Sequence, residues 1–497
     1  MDVEFVRYKY EDGAEGFIMK KKFKIGVRHL QAIYMFAVSV VLGLLRGSSG
    51  VAMLAINDPA RLNDTYIEIH DWDRRTQSTT FSSFLFGYAL MLLPAELCVS
   101  QFGSKMLVTA VLAMNGGFNA AMPNIVNKGG WIAVSNTQFL LGMSQACLAP
   151  ANRIMLENWM PPNEKTFFGS IVYGGTYIGM ILSLPCAGAL SSHRLGWELI
   201  FYAQAMAALS SCAVWGILTA AAPQRHQAIG DKEKEYIEEA KGFYKKKQQQ
   251  VPWRDILRSP PFWALAAAHA AFNALFVFFL FDVPYFFTIF GRTLKDASVL
   301  AMLPFVVMWL VYLTTSPTIE WVYNSGFMSY VLSTTYYRKL INAIGAFGAI
   351  IGLTVLSNVN PDSGLSLVIL TITLGVTGFQ YSGFLDNYRN LSQNFNGTLV
   401  ILTSAGASIV GAGVPLFTGS ILSPDPTDFR RWRAVFLSLA SFSVLGNVLY
   451  TVLGRGDRAE WDRERIKFGY HNDANQLELE ELSLPKTSPK DDRPLQQ

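Results

Sequence analysis

Long apolar stretches separated by short polar turns dominate the chain from residue 29 onward. A helix needs about 20 mostly apolar residues to cross the hydrocarbon core of a bilayer. Twelve stretches qualify, near residues 29–57, 79–101, 105–125, 131–159, 166–190, 197–222, 260–289, 297–318, 337–358, 364–385, 396–421 and 432–453. Ile200–Ala222 and Phe262–Phe281 are the cleanest runs, and the third and eighth are the shortest. The largest polar break divides the spans six and six. The pattern predicts an all-α membrane protein with an N-terminal tail (1–28), a six-helix bundle (29–222), a linker (223–259), a second six-helix bundle (260–453) and a polar tail (454–497).

Within the linker, Asp231–Lys241 alternates charge with few apolar residues, which predicts a solvated helix acting as a tether or as a gate element. Lys and Arg concentrate on the cytoplasmic side of membrane proteins. Lys20, Lys21, Lys22, Lys24, Arg28, the linker and the segment after Gly454 then place both termini in the cytoplasm. Arg430, Arg431 and Arg433 run against this bias. The first span is expected to serve as its own uncleaved signal. Of three N-x-S/T sequons, Asn63 falls in the first outer loop and is a candidate for glycosylation, whereas those at Asn390 and Asn396 fall inside.

Composition agrees with the spans. Of 497 residues, 51% are hydrophobic and 16% charged, with mean hydropathy +0.25. Soluble domains carry about a quarter charged residues. Disorder, a coiled coil, a collagen repeat and a disulfide scaffold are excluded. Cys98, Cys147, Cys186 and Cys212 lie in apolar stretches without ligand spacing and read as small core residues. The net charge of +4 decides nothing by itself.

The two halves also echo each other. Trp197-x-x-Ile200-Phe201-x-x-x-Ala205 opens span six, and Trp432-x-x-Val435-Phe436-x-x-x-Ala440 opens span twelve in the same register. Spans five (Gly174, Gly175, Gly179, Pro185) and eleven (Gly406, Gly411, Gly413, Pro415) share a small-residue pattern. Small residues let helices approach closely in lipid, and internal repeats mark transporter folds.

Charge inside a span is rare and usually has a purpose. Arg46 lies midway along span one, among Gly43, Gly47, Ser48, Ser49 and Gly50. Snorkelling from that depth is difficult, and a guanidinium suits carboxylate or phosphate. Arg46 therefore faces either an anionic solute or a fixed carboxylate. Glu96, Arg153 and Glu157 sit at similar depth near the inner ends of spans two and four, as an inner gate or a permanent ion pair. Asp282 is expected to be solvated at the outer end of span seven, and Asp386 and Arg389 flank span ten. His269 is the one histidine well inside a span, as a proton carrier or a satisfied core residue. No phosphate-cradling loop, His-Glu-x-x-His or nucleophile elbow is found, so no enzyme and no nucleotide site is expected. Basic residues beside spans give no support for nucleic-acid binding.

Several runs, taken in order, resemble the anion:cation symporters of the major facilitator superfamily, which include sialin, the vesicular glutamate transporters and sodium/phosphate cotransporters. Gly26-Val27-Arg28-His29-Leu30-Gln31 resembles the start of span one in insect members named as inorganic phosphate cotransporters. Trp159-Met160-Pro161-Pro162-Asn163-Glu164-Lys165 resembles the turn after span four. Glu235–Glu238 with Val251–Pro260 resembles the central loop, and Ser333–Asn342 the start of span nine. The resemblance implies two bundles, with spans one, four, seven and ten lining a cavity and Arg46 contacting an anionic substrate. Departures are specific. Where vesicular glutamate transporters have an arginine and a glutamate in span four, this chain has Gln138 and Gln145. Their span-seven arginine falls near Ala271, and their span-two histidine position reads Phe81. Pro94-Ala95-Glu96 replaces Pro-Gly-Gly, and the basic loop keeps Gly103 and Lys105.

The expected function is alternating-access symport of a small anion, inorganic phosphate or an organic carboxylate. Gln138, Gln145 and Asn387 join Arg46 as neutral candidates. No cofactor or metal is expected, and the coupling ion is Na⁺ or H⁺. The rivals are a degenerate transporter acting as receptor or scaffold, and an anion channel. The expected membrane is the plasma membrane, with a lysosomal or vesicular membrane as alternative.

Overall fold

The long helices are apolar on every side, as helices do that face lipid or one another. The computed structural model describes residues 3–9, 15–21, 26–63, 66–242, 251–324, 333–361 and 364–462. A short antiparallel hairpin, β1 (Val3–Lys9) and β2 (Glu15–Lys21), precedes the helices. The first half holds α1 (Val27–Ile56), α2 (Arg74–Leu92), α3 (Ala95–Phe102), α4 (Ser104–Ala146), α5 (Leu148–Trp159), α6 (Pro162–Ser191) and α7 (Gly196–Leu218). The linker carries α8 (Asp231–Gly242) and α9 (Trp253–Arg258). The second half holds α10 (Pro260–Ile289), α11 (Leu294–Asn324), α12 (Thr334–Leu356), α13 (Gly364–Val376), α14 (Asp386–Leu391), α15 (Asn396–Leu422) and α16 (Phe429–Leu453). Between α13 and α14 lie a helical turn, Gly378–Gln380, and a π-helical turn, Tyr381–Leu385.

Ten helical stretches among the described residues are long and apolar enough to cross a membrane. The second expected span is an eleventh, bent by 62° where Leu93 and Pro94 part α2 from α3. The stretch Ser104–Trp159 would run to about 84 Å as one straight helix, far beyond a bilayer core. It breaks at Gly130, whose backbone (φ 61°, ψ −168°) is left-handed and suits glycine. Counting both sides of Gly130 gives twelve.

The start of α1 and the finish of α1 define a near end and a far end. Within the first half α1 packs on α6 and α7, and α2 and α7 on α4; within the second, α10 and α12 pack on α16, and α11 and α12 on α13. Across the halves α2 lies along α15, α6 along α11, and α1 touches α10. The repeated tryptophan runs are buried residue for residue: Trp197, Ile200, Phe201 and Ala205 in one half, Trp432, Val435, Phe436 and Ala440 in the other. Each indole donates to a loop carbonyl, Trp197 to that of Glu68 in the connection between α1 and α2 and Trp432 to that of Pro426 just before α16.

The linker helix is docked, not merely solvated. Glu233 of α8 is buried and accepts hydrogen bonds from the backbone N–H of Val27 (2.9 Å) and Arg28 (3.2 Å), two of the free donors that begin α1. Arg28 pairs with that carboxylate and with Glu164 of α6. Beyond α16 the chain folds back. Asp462 accepts from Ser392 Oγ (2.6 Å), from the backbone N–H of Gln393 and Asn394, and from Arg458 Nε. Asp462 lies outside the spans. Burial opposes its ionisation, but these donors outweigh burial and hold the carboxyl below its ordinary range. Residues 463–497, with most of the expected polar tail, lie outside the described residues.

Candidate functional site

Close packing of α1 on α6 fixes the direction of Arg46. A side chain at Gly179 of α6 would collide with the Val40 carbonyl oxygen, and one at Gly43 of α1 with the Thr176 carbonyl oxygen. Only glycines allow this approach. The Arg46 side chain is thereby directed to α2 and α4. Its guanidinium carbon lies 4.4 Å from the ring centre of Tyr88 and 5.6 Å from that of Phe84, one helical turn apart on α2. Its Nε donates to Gln145 Oε1 at 3.3 Å. Gln145 in turn donates from Nε2 to Asn115 Oδ1 (2.9 Å), and Asn115 Nδ2 donates to Ser144 Oγ and the Val111 carbonyl. This chain of amides orients the glutamine oxygen towards the cation.

Arg46 is half-buried and has no carboxylate at ion-pair distance among the described residues. Tyr88 and Arg46 both lie within electrostatic reach of Tyr177 on α6. Tyr177 meets Phe276 of α10 and Tyr381 of the π turn edge-on, with centroids 6.4 and 6.1 Å apart. A π turn inside a span often marks a functional site. Gln145, the partner of Arg46, and its neighbours line a small cavity of about 10 Å³, the room of roughly one water. It is lined by Ser49, Asn115, Asn119, Gln138, Gln145 and Gln204 among apolar neighbours. Gln138 and Gln145 are seven residues apart and share this face of α4.

Asn387 is placed elsewhere. It is buried, and its Nδ2 donates to Tyr450 OH (3.1 Å) and to the Arg455 carbonyl (2.9 Å). Its amide ties α14 to α16 and the chain after it. Glu96, Arg153 and Glu157 do come together: Arg153 Nη2 lies 2.6 Å from Glu96, Nη1 lies 3.5 Å from Glu157, and Lys165 reaches Glu157 at 2.9 Å. All four belong to the first half and are 36–43% exposed, so they form a wet cluster at the near end. His269 is half-buried, its Nδ1 3.2 Å from Tyr388 OH and from Thr403 Oγ1. Asn63 is exposed after the turn Pro59–Arg61, while the rest of its sequon lies outside the described residues. Ser392 of a second sequon is buried against Asp462.

Asp282 corrects the expectation of a solvated residue. It is fully buried, with Arg74 Nη2 of α2 at 2.6 Å and Thr418 Oγ1 of α15 donating at 2.9 Å, both to Oδ1. Arg74 is covered by Tyr285 (3.8 Å) and Phe281 (4.3 Å). Among the described residues this is the one ion pair joining the two halves, and it lies at the far end with the stacked pair Phe81–Phe281 and the bond from Ser82 Oγ to the Ala412 carbonyl. Arg74 escaped the sequence reading because it sits at the first turn of α2, where a basic residue reads as a solvated end. The signal available was a carboxylate at the matching depth of span seven.

Residues 31–394 match the Major Facilitator Superfamily. The "Putative inorganic phosphate cotransporter" of Drosophila ananassae is 30% identical over 396 residues, covering 79% of this chain and 81% of that protein. "Sialin" of Homo sapiens is 29% identical, covering 79% and 78%. "Vesicular glutamate transporter 2" of Homo sapiens is 24% identical, covering 79% and 67%. These relatives are transporters, not enzymes. Among solved structures, a bacterial homologue of the human lysosomal transporter Spinster aligns with TM-score 0.64 at 13% identity, covering 87% of this chain and 98% of that one. The D-xylose-proton symporter aligns with TM-score 0.62 at 14% identity, covering 86% and 100%. At such identities the likeness concerns the fold alone.

Proposed function

The chain belongs to the Major Facilitator Superfamily, in the group of anion:cation symporters, and we propose that it carries a small anion, inorganic phosphate or an organic carboxylate, by alternating access. One observation carries the reading: Arg46 is a mid-span cation, half-buried, with an aromatic shelf and a glutamine around it but, among the described residues, no carboxylate at ion-pair distance. A charge at that depth needs a counter-charge, and a solute supplies one. Gln145 orients the guanidinium, and Gln138 lines the adjacent cavity. Asn387 is left out, because its amide is engaged by Tyr450 and Arg455.

With both termini cytoplasmic, the far end is the outer one, and the Arg74–Asp282 contact closes it while the exposed cluster at Arg153 faces the cytoplasm. Rocking of one half on the other exposes Arg46 to each side in turn. Na⁺ or H⁺ supplies the driving force in the absence of a nucleotide site. The plasma membrane is the proposed location, with a vesicular or lysosomal membrane as the alternative.

Purified protein in liposomes tests the reading. Phosphate and carboxylate uptake is expected to respond to an imposed Na⁺, H⁺ or voltage gradient, and Arg46→Ala is expected to abolish it at normal abundance. Near-normal flux in Arg46→Ala removes Arg46 from the site. Ligand binding without counterflow would instead favour a receptor.

A further inference from the structure

We propose that the Arg46 site accepts its solute as a monoanion, so that a dibasic acid binds only after taking up a proton. This rests on Arg46 as the anion site and adds the charge state of its occupant.

Most charges inside the spans are compensated or lie near a helix end. Arg74 is neutralised by Asp282, Arg28 by Glu164 and Glu233, and Arg338 lies 3.7 Å from Asp386. The Glu96–Arg153–Glu157–Lys165 cluster is exposed at the near end. His269 is held by Tyr388 and Thr403 in the second half. Among the described residues Arg46 is the mid-span cation without a carboxylate at ion-pair distance; Lys105, Lys339, Arg389 and Arg433 also lack one but sit near the ends of their helices.

The groups around it add hydrogen bonds but no charge. From α2 comes Tyr88, from α6 Tyr177, and beyond Tyr177 the π turn presents Tyr381. The α4 and α7 helices present amides (Gln138, Gln145 and Gln204), and α10 presents Phe276. Among the described residues no Asp, Glu or His lies at ion-pair distance from the guanidinium; in the second half the charged groups Asp386 and Arg389 act on Tyr312, which lies against Tyr381. Only Nε of the guanidinium is engaged, and its face is covered by Tyr88, so the Nη1/Nη2 edge is left to grip one carboxylate or one phosphoryl group. A second negative charge would enter a region of low dielectric with nothing to balance it.

Protonation removes that charge. The proton comes from water on whichever side the cavity opens to, and a new O–H bond forms on the solute's second acidic oxygen. That O–H can donate to an amide oxygen, and no oxidation or reduction is involved. A proton then crosses on the solute itself, without a carboxylate of the protein titrating.

The test is ligand-induced thermal stabilisation of the purified full-length protein. Monomethyl succinate and succinate at about pH 7.5 carry similar bodies with one and two charges. The monoester is expected to bind at least about tenfold more tightly. Inorganic phosphate is expected to weaken as pH rises from about 6 to about 8, across its second ionisation, and sulfate to stabilise little throughout. Gln138→Arg, which adds a second cation beside the cavity, is expected to narrow or reverse the succinate preference. The wild-type panel stands whether or not that variant folds. Dianions binding as tightly as monoanions, or phosphate strengthening with pH, would overturn the proposal while leaving Arg46 as an anion site. Stabilisation by none of the probes would overturn both.

Discussion

Arg74 Nη2 lies 2.6 Å from Asp282 Oδ1, between residues 208 positions apart in the chain and in opposite halves of the molecule, with both side chains buried. A buried ion pair adds little net stability, but removing one partner strands the other charge at a cost of about 3–5 kcal/mol. Arg74→Leu and Asp282→Leu are each expected to destabilise the far-end contact by that order. The double variant is expected to recover most of the loss. Denaturation of all four proteins gives the coupling energy; additive losses would mean that the two side chains act independently.

Arg46 is held by geometry as well as by charge. Arg46→Lys keeps the cation but loses the planar fork and the stacked face over Tyr88. Uptake in liposomes is expected to fall at least about tenfold with protein abundance unchanged. Tyr88→Leu removes the cation–π contact, worth about 0.5–2 kcal/mol, together with the stacking on Phe84, so a milder rise in KM is expected.

Glu233 joins the linker helix to the start of α1. Glu233→Ala leaves two backbone donors and Arg28 short of an acceptor, with an expected cost of about 1–3 kcal/mol. Hydrogen exchange is expected to rise at Val27, Arg28 and across α8. Unchanged protection there would show that the helix is held by Ile237 and its apolar neighbours instead.

The Asp462 carboxyl titrates below its ordinary range in the folded protein, because its hydrogen bonds outweigh the opposing effect of burial. Its contribution is therefore complete above the unfolded value and is lost as pH falls through the lower, folded value. Exchange at the Gln393 and Asn394 amides is expected to accelerate, relative to the intrinsic rate, on acidification through that lower range. In Asp462→Asn the two amides are expected to be less protected at neutral pH, and the acid step to disappear.

Much of the molecule was legible in the order of its residues. Span number and the six-plus-six division follow from the length of apolar runs, since a bilayer sets a minimum for each helix whatever surrounds it. The tryptophan repeats marked two matching buried runs, and the depth of Arg46 followed from its place in span one. Partnership was a different matter. Asp282 read as a solvated helix end, Arg74 drew no reading, Asn387 read as a cavity-side candidate, and the charged linker helix read as solvated. Each depends on what another helix brings within about 3 Å, and distance along a chain carries no such information. The amino-acid sequence by itself determined that these helices lie in a membrane and that one of them carries a charge at mid-depth. Tertiary structure alone decided which charges are cancelled, because neutralisation inside a protein is settled by contact in space.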